Sequence, residues 1–104
     1  MESTRLEILK TMVEQQPEGA FGRYGLAMEY VRLGDLETAV DEFAALLQHN
    51  PGYAAGYFHE GQTLEKLGRI EDAREIYRKG IDVTTASGDG HTRNELIAAL
   101  QMLA

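Results

Sequence analysis

Along this chain apolar residues return at spacings of three and four, in stretches separated by short breaks carrying glycine or proline, the pattern of amphipathic helices rather than strands. Leu6, Leu9, Met12 and Val13 make the first stripe, which ends before Pro17. Thr4-Arg5-Leu6-Glu7 looks like a capping box at its start. Leu26, Ala27, Tyr30 and Leu33 make the next stripe, and Gly34 supplies a left-handed stop after it. Asp35 can then cap a helix whose Leu36, Ala39, Val40, Phe43 and Leu47 continue to Pro51. Tyr57, Gly61 and Leu64 precede Gly68, and Ile70, Ala73, Ile76, Tyr77 and Ile81 carry a return helix to about Thr85. After a break at Ser87-Gly88-Asp89-Gly90, Leu96, Ile97, Leu100 and Leu103 form the last stripe. The expectation is an all-α fold of about five helices.

The middle of the chain repeats itself. A shift of about 34 residues places Ala20 on Ala54, Gly22 on Gly56, Leu33 on Leu67, Gly34 on Gly68, Glu37 on Glu71 and Ala39 on Ala73. Size and polarity repeat as well: Tyr24 falls on Phe58, Ala27 on Gly61, Leu36 on Ile70, Phe43 on Tyr77 and Leu47 on Ile81. Each unit reads as a helical hairpin, with Ala27, Gly61, Ala39 and Ala73 small enough to let two antiparallel helices approach closely. Gly22 and Gly56 are expected to do the same between units. Under the same shift Leu9 falls on Phe43, Met12 on Leu46, Val13 on Leu47 and Pro17 on Pro51, so the first helix mimics the second half of a unit. The last helix, with Arg93, Asn94 and Gln101 on its polar side, reads as a cap for the exposed end of the stack.

These residues resemble the tetratricopeptide repeat, whose pattern is W-x2-L-G-x2-Y, then A-x3-F, then P. The first unit offers Arg23, Leu26, Ala27 and Tyr30, then Ala39 with Phe43, then Pro51. The second offers Tyr57, Glu60, Gly61 and Leu64, then Ala73 with Tyr77. Arg23 replaces the large aromatic, and Thr85 stands where a closing proline belongs, so the second return helix is expected to run on toward the glycine loop. The resemblance is close over residues 18–86 and looser outside them. It implies a right-handed α-solenoid of antiparallel helix pairs: one domain over 1–104, with an N-terminal half-repeat helix at 3–16, repeats at 18–51 and 52–86, and a C-terminal capping helix at 90–104. It also implies binding of peptides or helices along a concave groove lined by the first helix of each pair. The lysine, asparagine and arginine clamp with which some members grip a C-terminal carboxylate is missing, since the corresponding positions hold Tyr24, Met28 and His59.

Composition narrows the partners. Seventeen acidic residues against ten basic ones give a net charge of −7, a sign that opposes the phosphate neutralisation behind nucleic-acid and anionic-membrane binding and favours basic or apolar protein partners. The absence of cysteine excludes disulfides, thiol nucleophiles and cysteine-ligated metals. Met1-Glu2-Ser3-Thr4-Arg5 lacks the basic and then apolar run of a secretory signal, and the longest apolar stretch, Phe43 to Leu47, is far short of a membrane span, so a cytoplasmic protein is expected.

The first helix of the first unit carries a second apolar stripe, Phe21, Tyr24, Met28 and Val31, beyond the one its hairpin partner needs. Continued by Phe58, His59, Gln62 and Glu65 in the second unit, this is the candidate partner-binding groove; the alternative is that the stripe only packs on neighbouring helices. Self-association through the same stripe or the terminal helix, giving a homo-oligomer, is the second functional reading. Asp35, Glu37, Asp41 and Glu42 form an acidic run that reads chiefly as a solvated outer face. His49, His59 and His91, the last with Glu95 one turn on, lack the further ligands of a metal site. Ser87-Gly88-Asp89-Gly90 lacks the preceding strand and following lysine of a phosphate loop and reads as a connector that caps the last helix. Serine occurs only at positions 3 and 87, which leaves no persuasive nucleophile. No catalytic residue, metal ligand or cofactor is expected.

Overall fold

The computed structural model describes residues 4–103. Met1, Glu2 and Ser3, on which part of the leader and half-repeat expectations fall, and Ala104 of the capping helix lie outside the described residues. Six helices follow in order: α1 (Arg5–Gln15), α2 (Ala20–Leu33), α3 (Leu36–His49), α4 (Ala54–Lys66), α5 (Ile70–Ser87) and α6 (Gly90–Gln101). The expected count of about five is one short: the two flanking helices, both anticipated, stand beside the four of the two hairpins.

The helix ends follow from the residues that occupy them. Thr4 Oγ1 accepts from the Glu7 amide at 3.1 Å, Asp35 from Thr38 at 3.3 Å and Asp89 from Thr92 at 3.1 Å, each satisfying a first-turn donor that has no partner inside its helix. Gly34 ends α2 with φ +83°, a conformation that side-chain-bearing residues rarely adopt, and the Asp35 amide reaches back to the Tyr30 carbonyl at 2.9 Å. With Thr85 in place of a proline, α5 continues to Ser87 and stops at Gly88, so only Gly88 and Asp89 separate it from α6.

Consecutive helices pack as antiparallel neighbours, and α4 also meets α6, producing a stack 47 × 29 × 19 Å. Each hairpin has its own apolar cluster. Ala27, Ala39, Phe43 and Leu46 are buried around the first, and Val40, Tyr57, Leu64, Ala73, Tyr77 and Leu96 around the second. Val40 belongs to α3 and Leu96 to α6, so the second cluster is completed from both sides and the pairs depend on one another. Gly61 is required by Tyr77, whose fully buried ring occupies the space a β-carbon at 61 would take. Between the units, a β-carbon at Gly56 would stand 2.8 Å from Leu47 Cδ2, as the expectation of close inter-unit packing requires.

Arg23, at the large aromatic's position, makes a different kind of bond. Its Nη1 donates to Glu42 Oε2 on α3 at 2.9 Å and its Nη2 to the Pro17 carbonyl at 2.9 Å, tying α2 to both the hairpin partner and the incoming loop. In the second unit the Tyr57 hydroxyl makes only the bond to the incoming loop, donating to the Pro51 carbonyl at 2.6 Å.

Candidate partner-binding groove

Residues three and four apart share a helix face, so Tyr24, Met28 and Val31 on α2 and Phe58, Gln62 and Glu65 on α4 each form a row. The two rows meet at rings. Tyr24 lies 5.8 Å from His59 and 5.2 Å from Tyr53, centroid to centroid, and His59 lies 5.5 Å from Phe58. Beneath them Phe43 stacks on His59 at 6.4 Å and meets Tyr24 edge-on at 6.5 Å. A line of half-buried rings therefore runs from Tyr53 through Tyr24 and His59 to Phe58, seated on a buried phenylalanine. Burial pushes the His59 imidazole below its ordinary value and outweighs the Glu95 carboxylate that draws it up, so the ring is neutral at pH 7 and acts as an aromatic surface.

Beyond the rings, the line opens toward α6. Phe58 and Gln62 flank a cavity of about 280 Å³ shared with Glu95, Ala98, Ala99 and Met102, and the Met102 side chain is 85% exposed. Gln62 and Glu65 are held from below: Gln62 Nε2 donates to the Tyr77 hydroxyl at 3.4 Å, and that hydroxyl donates to Glu65 Oε2. Burial and the Glu65 carboxylate raise the phenol well above its ordinary value, so it remains a donor.

The first-unit residues divide. Tyr24, Met28 and Val31 are half-buried and pack against the Ala27–Ala39–Phe43–Leu46 cluster, so one side of each serves packing and the other faces solvent. Phe21 is 79% exposed and borders a separate cavity of about 240 Å³ with Met12, Gln16 and Gly19, at the seam with α1. The structure thus brings Tyr24, Met28, Phe58 and His59 onto one surface, with Val31, Gln62 and Glu65 at its margin and Phe21 at the far end.

The other candidates are dispersed. His91 Nε2 pairs with Glu95 Oε1 at 3.3 Å while 88% exposed, and among the described residues no three histidine or acidic side chains gather as metal ligands. The acidic run of α3 is not one uniform face, since Asp35 caps the helix and Glu42 holds Arg23. Two buried acids escaped the sequence reading. Glu29, 3% exposed, forms a two-pronged pair with Arg32 at 2.8 and 2.6 Å and is approached by Arg5 of α1 at 3.4 Å; the Arg32 hydrogen bonds hold its carboxyl below the ordinary range. The other is Glu60.

Short antiparallel helix pairs stacked side by side, with rings along one face, define a helical-repeat scaffold. The chain belongs to the tetratricopeptide repeat family, whose model matches residues 24–89. It is similar to a tetratricopeptide-repeat-containing protein of Pseudomonas aeruginosa, 26% identical over 98 residues that cover 94% of this chain and 93% of the relative. Among solved structures, a tetratricopeptide repeat domain protein from Salinibacter ruber superposes with a TM-score of 0.79 at 33% identity, covering 85% of this chain and 89% of that one. A Bordetella parapertussis protein, 24% identical, shares the fold with a TM-score of 0.83 over 98% of this chain and 89% of its own. Domains of this family mediate protein–protein interaction and are typically non-catalytic scaffolds. No helix among the described residues is long and apolar enough to cross a membrane.

Proposed function

We propose that the chain is a non-catalytic interaction module that receives a peptide or helical segment of another protein along the α2–α4 face. Tyr24, Met28, Phe58 and His59 serve as anchors, and Phe21, Val31, Gln62 and Glu65 as the margin. The observation that carries this reading is the row of rings from Tyr53 to Phe58, fixed from below by Phe43 yet open on one side. Fixed aromatic surface loses little entropy on binding and is enriched at interaction hot spots. The occupant is apolar where it meets the rings and basic where it passes Glu65 and Glu95, given a chain of net charge −7. The binding unit is one domain, with repeats over 18–51 and 52–86 between the half-repeat and capping helices.

Peptides selected from a displayed library for binding to this chain test the proposal. Phe58→Ala and Met28→Ala are expected to weaken capture about tenfold while leaving the helical circular dichroism intact. Undiminished capture by both variants would place the site elsewhere. Self-association is the second reading, favoured by the exposed Met102 just past the end of the terminal helix; light scattering across a concentration series decides it, a monomer at every concentration counting against it.

A further inference from the structure

Two residues beyond Phe58 on α4, a rotation of about 200°, the helix presents Glu60 to the opposite side of the stack. Glu60 holds the register position that Leu26 holds in the first unit, is 5% exposed, and has an Oε1 without a hydrogen-bond partner. A buried carboxyl oxygen in that condition is costly, and leucine at the equivalent place shows that packing does not need it. Cavities of about 270 and 170 Å³ open on either side of Glu60, in a furrow between α3 and α5 whose floor it forms. The walls from α3 carry no charge there: Val40, Leu47 and Gln48 face the furrow. From α5 and its cap come Arg69, Asp72, Glu75 and Lys79. Arg69 is hydrogen-bonded to Asp72 at 2.9 Å and Lys79 approaches Glu75 at 3.9 Å; both cations also favour the Glu60 carboxylate without outweighing its burial, so three furrow carboxylates share two positive charges.

From this shortage of one positive charge we infer that the α3–α5 furrow is a docking site for a lysine or arginine side chain carried by a segment of a partner protein. Each cavity is below the roughly 300 to 1,000 Å³ of small-molecule sites. The space fits side chains. The methylene stem lies along Leu47 and Ile76 while the cationic head donates to Glu60, the arrangement long basic side chains adopt on apolar surface. Because the cavities flank Glu60 on both sides, a segment crossing the furrow fills both with the residues beside the cation, which a free amine does not do. The carboxyl of Glu60, raised by burial to about 7, is ionised by such a partner, so affinity rises with pH up to that value and levels off above it. The furrow lies on the opposite side of α4 from the ring row, and neither proposal needs the other.

The test follows the Glu60 carboxyl by carbon-13 NMR through a pH titration, with an amidated tripeptide of lysine between two leucines. The same tripeptide with norleucine in lysine's place, and butylamine alone, are the controls. The lysine tripeptide is expected to lower the Glu60 midpoint by about half a unit or more and to shift the Leu47 and Ile76 methyls, while the norleucine tripeptide leaves the midpoint in place. Glu60→Gln is expected to weaken lysine-tripeptide binding about tenfold and abolish its pH dependence, and Glu60→Leu, which restores the first unit's residue, to do the same in a chain at least as stable. A midpoint unmoved by the lysine tripeptide, or affinity kept by both variants, would overturn the site. An equal response to butylamine would overturn the partner segment in favour of a free amine.

Discussion

Tyr24 of α2 and His59 of α4 meet edge to face across the seam between the two units, ring centroids 5.8 Å apart at an interplanar angle of 64°. Edge-to-face pairs favour the ring quadrupoles, and this one joins helices that are not sequence neighbours. Tyr24→Ala is expected to cost about 2 kcal/mol, less than a fully buried ring because Tyr24 is half exposed. Tyr24→Phe, which keeps the ring, should stay within about 0.5 kcal/mol of the parent in urea unfolding. Equal losses in the two variants would show that the ring contacts do not hold the seam.

Gly61→Ala puts a methyl into the Tyr77 ring. Alanine raises helix propensity by about 1 kcal/mol, but overpacking a core costs about 1 to 3 kcal/mol, so the net expectation is destabilisation by about 1 to 2 kcal/mol. Pairing it with Tyr77→Leu should recover part of the loss; a thermal melt in which Gly61→Ala is stabilising would contradict the close packing.

Arg23 and Glu42 are mostly buried, with side chains 14% and 21% exposed. Removing either leaves the other short of its counter-charge, and Arg23→Ala or Glu42→Ala is expected to cost about 2 kcal/mol, with the double variant well short of the sum. Strict additivity in the double-mutant cycle would deny the coupling.

Glu60 makes stability depend on pH in a known direction. Its carboxyl titrates at about 7 in the folded chain against an ordinary 4.5, so between those values the native state holds a proton that the unfolded chain has released. Stability therefore falls as pH rises through that window, by on the order of 3 kcal/mol in all, and stays low above it. In Glu60→Leu that fall should disappear, leaving the variant more stable than the parent at pH 8 and less distinct from it at pH 4.5. Parallel pH–stability curves for parent and variant would contradict a buried, unpaired Glu60.

Helix stops were legible because they are local: a glycine followed by a capping acid at Gly34-Asp35, or by the Gly88-Asp89 pair, needs no knowledge of the rest of the chain. The small residues at 27, 39, 61 and 73 were legible because the repeat presents each twice. The divided role of Tyr24, Met28 and Val31 was not, since how much of a stripe is covered depends on the distance to the next helix. Phe21 sits on the same sequence stripe but at the α1 seam, a separation that periodicity alone does not express. The Gln62–Tyr77–Glu65 network depends on one hydroxyl reaching between helices of a pair. Gly80 gave no repeat signal either, yet a β-carbon there would stand 2.6 Å from Tyr57 Cβ. For Glu60 a signal did exist: the shift that aligns the units sets an acid on Leu26, close to the apolar or small matches Gly22 on Gly56, Tyr24 on Phe58 and Ala27 on Gly61.

Amide chemical-shift mapping with a library-selected peptide tests the ring-lined groove most directly. The account predicts perturbations centred on Tyr24, Met28, Phe58 and His59 and extending to Ala98 on α6, with Leu47 and Ile76 unchanged. Shifts confined to α3 and α5, or spread evenly over the chain, would contradict it.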